Sequence, residues 1–274
     1  MTDSASPFSG RVAVVTGGGS GIGRAVATRY GAGGGTVVVC GRRREPLQET
    51  AEQIRAAGGR ADAVVLDVRD ADAVATAFAT VRERHGRIDA LVNNAAGNFV
   101  CPGEKLSPGG WRAVIDIVLN GTFHCTRAAA DTMLGQGSGS VLSVIASYAW
   151  HGHPGTVHSA AAKAGVLAMT RTLAVEWADR GVRLNCIAPG PTETAGAGAA
   201  LWAEPASRER VLASVPQART AGTGEIAEAA AFLLDDRAAY ITGEVLTVDG
   251  GQWLGKQVYG TPLAQVREAG DDRR

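Results

Sequence analysis

From residue 11 onward the chain alternates two patterns. Short runs of continuous apolar, β-branched residues, such as Val12-Ala13-Val14-Val15 and Val37-Val38-Val39-Cys40, are separated by longer alanine-rich stretches with apolar residues at helical spacing. Continuous apolar runs suit strands buried on both faces, as in a parallel sheet covered by helices on either side. The pattern predicts strands at about 11–16, 36–40, 62–66, 90–93, 140–145, 183–188 and 244–248, with ends placed to within ~2–4 residues. Helices are expected near 21–32, 45–57, 71–85, 111–134, 158–179, 208–214 and 225–234. Strand and helix alternate throughout, so the expected class is α/β, a doubly wound seven-stranded parallel sheet in three αβα layers.

No internal repeat or linker divides the chain, so one domain is expected over residues 1–274, with its core at about 10–252 and a C-terminal tail at 253–274. The stretch from Pro189 to Pro205 is long, irregular and rich in Gly, Ala and Pro. It follows the C-terminal end of a strand, where open α/β sheets bind ligands, so residues 189–220 read as a substrate lid. Within it, Trp202 is expected to pack over a bound ligand.

Composition narrows the function classes. With 274 residues, 45% apolar and 20% charged, the chain can bury one large core. Lys+Arg and Asp+Glu both number 27, and the basic residues are scattered apart from Arg42-Arg43-Arg44. No electrostatic footprint for nucleic acid or an anionic membrane is present. No run approaches the roughly 20 apolar residues that span a bilayer, and Met1–Gly10 carries no targeting pattern. Cys40, Cys101, Cys125 and Cys186 are far apart without CxxC spacing and read as reduced thiols, so a cytoplasmic setting is expected. His151, His153 and His158 lack ligand spacing and a carboxylate motif, which places them at a pocket mouth and leaves no metal site expected. Ser143, Ser147 and Ser159 lie in no Gly-x-Ser-x-Gly elbow.

The segment Thr16-Gly17-Gly18-Gly19-Ser20-Gly21-Ile22-Gly23 follows the first strand and opens a helix. Glycines there let the backbone approach a pyrophosphate, and the helix N-terminus supplies amide donors and a positive dipole, so the domain reads as Rossmann-type. Gly17, Ser20, Gly21, Ile22 and Gly23 are the predicted contacts. At the end of strand two, a carboxylate would repel a 2′-phosphate, whereas Arg42, and secondarily Arg43, can bind one through charge-assisted pairs. NADP(H) is therefore the expected cofactor, with Arg24 as a further candidate. Asp67 and Val68, ending strand three, are placed to meet the adenine.

Together with Asn93-Asn94-Ala95-Ala96-Gly97, Lys163 and Pro189-Gly190, that loop resembles the short-chain dehydrogenases/reductases over about residues 10–252. The resemblance places Asn94, Pro189 and Gly190 at the cofactor and Lys163 at the nicotinamide ribose. Most members carry Tyr-x-x-x-Lys. Here Ser159 takes the tyrosine place and Ala146 the usual serine place, with Ser147 one position off. The combination of residues 93–99, Asp116-Ile117-Val118-Leu119-Asn120-Gly121-Thr122, Ser159-x-x-x-Lys163 and Ala188-Pro189-Gly190-Pro191 is similar to NADPH-dependent 2,4-dienoyl-CoA reductases. In that branch a tyrosine fifteen residues before the lysine and the asparagine of Gly-Asn-Phe hold the thioester carbonyl, which here implies Tyr148 and Asn98.

The displacement has a chemical reason. A ketone takes hydride and proton on adjacent atoms, so its acid sits beside the nicotinamide. A 2,4-dienoyl thioester takes hydride at C5, while negative charge gathers on an oxygen several bonds away. The donors must move with that oxygen, and Asn98 and Tyr148 would form an oxyanion hole. Protonation at C2, by water or through Tyr148, would give a 3-enoyl-CoA. The charge of Lys163 would favour anionic character nearby. Ser159 is small enough to leave room for an acyl chain and able to donate a hydrogen bond. Asp249 is a candidate carboxylate near the lysine, set against a plain Asp-Gly turn. Asn120 is read as structural, holding a water or a kink beside Lys163.

The expected activity is thus NADPH-dependent reduction of 2,4-dienoyl-CoA in unsaturated fatty acid degradation, with an acyl-CoA thioester as the partner molecule. Two alternatives stay open: a carbonyl reductase or alcohol dehydrogenase using Tyr148 as acid, and a non-catalytic NADP(H)-sensing protein. The helices at 111–134 and 158–179 carry more small or apolar residues (Ala128, Ala129, Ala130, Ala162, Val166, Ala168, Leu173) than one buried face needs. A subunit interface is expected there, and the resemblance implies a homotetramer.

Overall fold

The structure is a computed structural model describing residues 6–194 and 205–254; Trp202 and most of the tail lie outside the described residues. Among the described residues, β1 (Val12–Thr16), β2 (Thr36–Gly41), β3 (Arg60–Val65), β4 (Ala90–Asn93), β5 (Gly139–Val144), β6 (Val182–Pro189) and β7 (Val245–Val248) form one sheet. Its order is β3-β2-β1-β4-β5-β6-β7, and every pairing is parallel. This is the expected doubly wound Rossmann architecture, whose chain reverses its winding direction between β3 and β4.

Helices α1 (Gly21–Ala32), α2 (Arg44–Ala56), α3 (Ala71–His85), α4 (Pro108–Ile115), α5 (Gly121–Gln136), α6 (Val157–Trp177), α7 (Pro205–Ala213) and α8 (Thr223–Leu234) cover the two faces. Alternate strand residues point to opposite faces, which divides the core. Val12, Val14, Val38 and Leu91 pack with Phe78 of α3, Met133 of α5 and Val166 of α6. Ala13, Val15, Val37 and Val39 pack with Tyr30 of α1, Ile54 of α2 and Leu233 of α8. Every residue of β1 is buried, which is why its sequence shows no polar alternation. Edge strand β3 buries Ala61 but exposes Arg60, Ala63 and Val65. Cys40, Cys125 and Cys186 are free and buried, and burial pushes all three thiols up.

The single helix expected over 111–134 differs in form. It begins earlier, where the Ser107 hydroxyl accepts the Gly110 amide and Pro108 needs no amide partner. Between α4 and α5, residues Asp116–Asn120 widen into a π turn. Gly121 follows because a Cβ there would lie 2.5 Å from Val68 Cγ2. An apolar run of this kind reads the same with or without one extra residue per turn, so its spacing conceals the bulge.

Candidate active site

Parallel strands place all their C-terminal ends along one sheet edge, and the loops there enclose a cleft of about 590 Å³. Gly17, Ser20, Gly21 and Ile22 form one wall of it, Arg42 and Arg43 another, and Asp67, Val68 and Asn94 a third. The glycine loop is shaped by backbone requirements. Gly17 and Gly21 have φ of 64° and 53°, which side chains disfavour. A Cβ at Gly23 would overlap the Gly17 carbonyl oxygen, so Gly23 shapes the loop without lining the cleft. Ser20 stands at the start of α1 without capping it, leaving its hydroxyl and the first amides of the helix for an anion. Cradle, volume and charge all fit a dinucleotide.

Two hubs here escape sequence reading. Thr16 Oγ1 accepts the amides of Asn94 and Ala95, each at 3.0 Å, and donates to Val92 O. Asn94 Nδ2 donates to the carbonyls of Thr16 and Gly17, locking the glycine loop to β4. Asn94 therefore holds the glycine loop in place while lining the cleft. The second hub is Arg69, whose guanidinium grips both oxygens of Asp67 and holds that carboxyl below its usual range. An Asp-x-Arg at a strand end is the signal that would have found it.

Arg42 and Arg43 line the cleft and are exposed, with no side-chain hydrogen-bond partner among the described residues. Arg24 is corrected. Its guanidinium donates to Gly19 O at 2.6 Å through Nη2 and pairs with Glu49 at 3.0 Å, so it braces the loop against α2, and Arg24 does not line the cleft. Pro189 ends β6 and Gly190 follows it beside β7, and neither lines the cleft: the Gly190 amide donates to Val248 O, and a Cβ there would meet Asp249 Cα at 2.6 Å. Thr194 lines the cleft instead.

At the reaction end three segments converge. A short 3-10 turn over Ser147–Ala149 carries Tyr148, whose hydroxyl lies 3.1 Å from Ser159 Oγ on the first turn of α6. Burial raises the Tyr148 pKa, and the Ser159 hydroxyl opposes the rise. The residue in the usual tyrosine place is thus in contact with the displaced tyrosine. Asn98 is half-buried, and its Oδ1 accepts the Phe99 amide at 2.9 Å. That bond fixes the amide and leaves Nδ2 as a donor without a partner among the described residues. Lys163 is buried on α6, donates to Val144 O and lies outside the lining of the described cleft. Burial lowers its pKa to about 8.

Three further expectations are revised. Both oxygens of Asp249 are used within its own turn, accepting the amides of Gly251 at 2.9 Å and Trp253 at 2.7 Å. It caps a turn and makes no bond to Lys163. Asn120 is exposed and donates to Asp116 Oδ1, so the kink exists but Asn120 supports it from outside. His151 is half-buried and His153 exposed, as expected of a pocket mouth, but His158 is fully buried. Among the described residues no His/Cys/Asp/Glu group is arranged to hold a metal, and no helix is long and apolar enough to cross a membrane.

Comparison with known proteins agrees with this geometry. Residues 17–252 match the family model described as enoyl-(acyl carrier protein) reductase. The chain is 49% identical over 246 residues to a Bacillus subtilis protein named probable 2,4-dienoyl-CoA reductase [(2E)-enoyl-CoA-producing], covering 89% of this chain and 97% of that one. It is 40% identical over 248 residues to a Caenorhabditis elegans protein named probable 2,4-dienoyl-CoA reductase 3 [(3E)-enoyl-CoA-producing], covering 89% of this chain and 80% of the relative. A Beutenbergia cavernae structure, named for an NAD(P)-dependent gluconate 5-dehydrogenase with NADP at low occupancy, superposes with TM-score 0.87 at 38% identity, covering 92% and 100% of the two chains. Glycine cradle, sheet order and sequence identity agree: the chain belongs to the short-chain dehydrogenase/reductase family of oxidoreductases, in the branch similar to 2,4-dienoyl-CoA reductases.

Proposed function

We propose that the protein uses NADPH to reduce 2,4-dienoyl-CoA thioesters to 3-enoyl-CoA in the degradation of unsaturated fatty acids. The observation that carries this is the contact between Tyr148 and Ser159, 3.1 Å apart. The acid has moved away from the place where a ketone's oxygen would need it, and a small hydroxyl has taken that place. Relatives named as 2,4-dienoyl-CoA reductases support the substrate in this reading.

In the cleft, Arg42, with Arg43 behind it, would hold the 2′-phosphate, the glycine loop and Ser20 the pyrophosphate, and Asp67 with Val68 the adenine. The bound cofactor supplies hydride to C5 of the conjugated system. Asn98 Nδ2 and Tyr148 Oη would donate to the thioester oxygen, where the displaced electron pair gathers. Such donors act chiefly by being in place before charge develops. Ser159 would donate to the Tyr148 oxygen, steadying its hydroxyl, while Lys163 below the turn would supply positive charge. Asp249, spent on its own turn, takes no part.

The names of the two relatives divide between 2-enoyl and 3-enoyl products. We assign protonation to C2. The tyrosine hydroxyl bonded to the thioester oxygen lies at that end of the chain, whereas C4 is two bonds farther toward the cofactor. We also place the protein in the cytoplasm as a homotetramer, with Phe123 of α5 and Val175 of α6, 52% and 82% exposed, as apolar residues for a partner to cover. The alanines and valine Ala129, Ala130, Ala162 and Val166 are buried in the chain's own core and are not available for that role.

The test is NADPH oxidation with a medium-chain 2,4-dienoyl-CoA in D2O, beside NADH, a 2-enoyl-CoA and simple ketones. Turnover of the dienoyl-CoA with deuterium at C2 is the expected result. Deuterium at C4 would overturn the product assignment, and preferential turnover of ketones would make Tyr148 a carbonyl acid.

A further inference from the structure

His158 is the second residue of α6 and is 0% exposed, among the largest fully buried side chains in the molecule. Its Nδ1 accepts the Ser159 amide at 2.8 Å, so that nitrogen holds a lone pair and the ring proton sits on Nε2. Nε2 is buried without a partner among the described residues. A buried donor left unpaired is costly, and an apolar side chain would fill the same space without that penalty. The ring must therefore contribute something an aliphatic residue would not.

Its two contacts show what. On one side it takes the Ser159 amide, a first-turn donor of α6 that needs a partner from outside the helix ladder. The usual cap is absent: Thr156 makes no side-chain cap bond, and its hydroxyl turns to His153. Ser159 in turn meets the Tyr148 hydroxyl. On the other side the ring lies edge-to-face with Phe99, centroids 4.4 Å apart, and the Phe99 amide holds Asn98 Oδ1. One buried ring thus touches the residue that steadies each donor.

We infer that His158 is a positioning residue that sets Tyr148 and Asn98 at a fixed separation, its Nδ1 acting through Ser159 and its ring through Phe99. What the two donors hold, a thioester oxygen, rests on the function proposed above; the internal linkage does not. The ring works in its neutral, Nε2-protonated form.

Two substitutions divide the contacts. His158→Phe keeps a ring against Phe99 and removes the acceptor. His158→Asn keeps an amide oxygen able to cap Ser159 and removes the ring. Each is expected to lower kcat for the dienoyl-CoA about tenfold, the effect of losing one hydrogen bond or ring contact, with NADPH affinity unchanged. In a Tyr148→Phe background His158→Phe should add little, and in an Asn98→Ala background His158→Asn should add little, because each acts through the donor already removed. Full additivity in both backgrounds, or parallel loss of NADPH affinity, would mean the ring only fills the core.

A substrate-free readout separates this inference from the activity. Nitrogen NMR of the wild-type protein should show His158 protonated at Nε2 alone, and Ser159 amide exchange should quicken in His158→Phe but not in His158→Asn. A proton on Nδ1, or equal exchange in both variants, overturns the linkage whatever the substrate proves to be. Silence toward dienoyl-CoA with the expected NMR result would overturn only the function.

Discussion

The cofactor side and the reaction side of the sheet edge are built from different materials. Beneath the glycine loop the work falls to backbone: left-handed glycines, free helix amides, and carbonyls gripped by Asn94 and Arg24. Across β4 the work falls to side chains from three separate segments: Asn98 after β4, Tyr148 after β5 and Ser159 on α6. A backbone site tolerates exchange of its side chains but not an added Cβ. A side-chain site tolerates small shifts of its backbone but not the loss of one donor. The two halves should therefore fail in different ways, in different observables.

The sharpest separation comes from the donors. Tyr148→Phe and Asn98→Ala should each lower kcat on the order of 10²–10³ while leaving NADPH affinity intact, read by steady-state kinetics beside a fluorescence titration. Loss of NADPH affinity in either variant would merge the two halves into one site. Gly23→Ala is the converse. Its Cβ has no room beside the Gly17 carbonyl oxygen, and overpacking of roughly 1–3 kcal/mol should weaken NADPH about tenfold to a hundredfold. At saturating NADPH its kcat should recover.

Arg42→Ala is a milder test inside the cofactor half. A charge-assisted pair lost to solvent should narrow the NADPH-over-NADH preference about tenfold, seen as a changed ratio of kcat/KM for the two cofactors. An unchanged ratio would move phosphate recognition to Arg43.

The smallest effect concerns Lys163, and it links the two halves through pH. In the proposed mechanism its ammonium is the form the reaction uses, so kcat should fall as pH rises through about 8. Stability should respond with the opposite sign. Between about 8 and the ordinary 10.5 the unfolded chain keeps the proton that the folded chain has released, so raising pH favours the fold. Urea titrations across this window, with Lys163→Met as the reference, should show the wild type gaining relative stability as it loses activity.

The cofactor half was largely legible because its determinants are local: a strand, a glycine loop and a helix start are contiguous in sequence. What escaped there were long-range bonds. Thr16 earns its place by binding residues near 92–95, and Arg24 reaches across to Glu49 of α2. The reaction half was readable only through the unusual spacing of Tyr148, Ser159 and Lys163. His158 and Asp249 were assigned by residue type, and their burial and turn bonds give them other work. Sequence spacing predicts which residues share a face. It does not say which polar atoms have already found partners.

The wide turn at Asp116–Asn120 has one consequence for how such a chain can vary in length. Ile117 and Val68 line the cleft, Gly121 yields space to Val68, and the turn packs against α6, which carries Lys163. Deleting a single residue here would close the wide turn into an ordinary helical one and draw in the backbone that now carries Ile117 to the cleft and Gly121 to Val68. Surface loops between these elements can gain or lose residues freely. At this buried bend the count is fixed, and a chain shortened there by one residue would disturb the cleft lining and the packing of α6 at once.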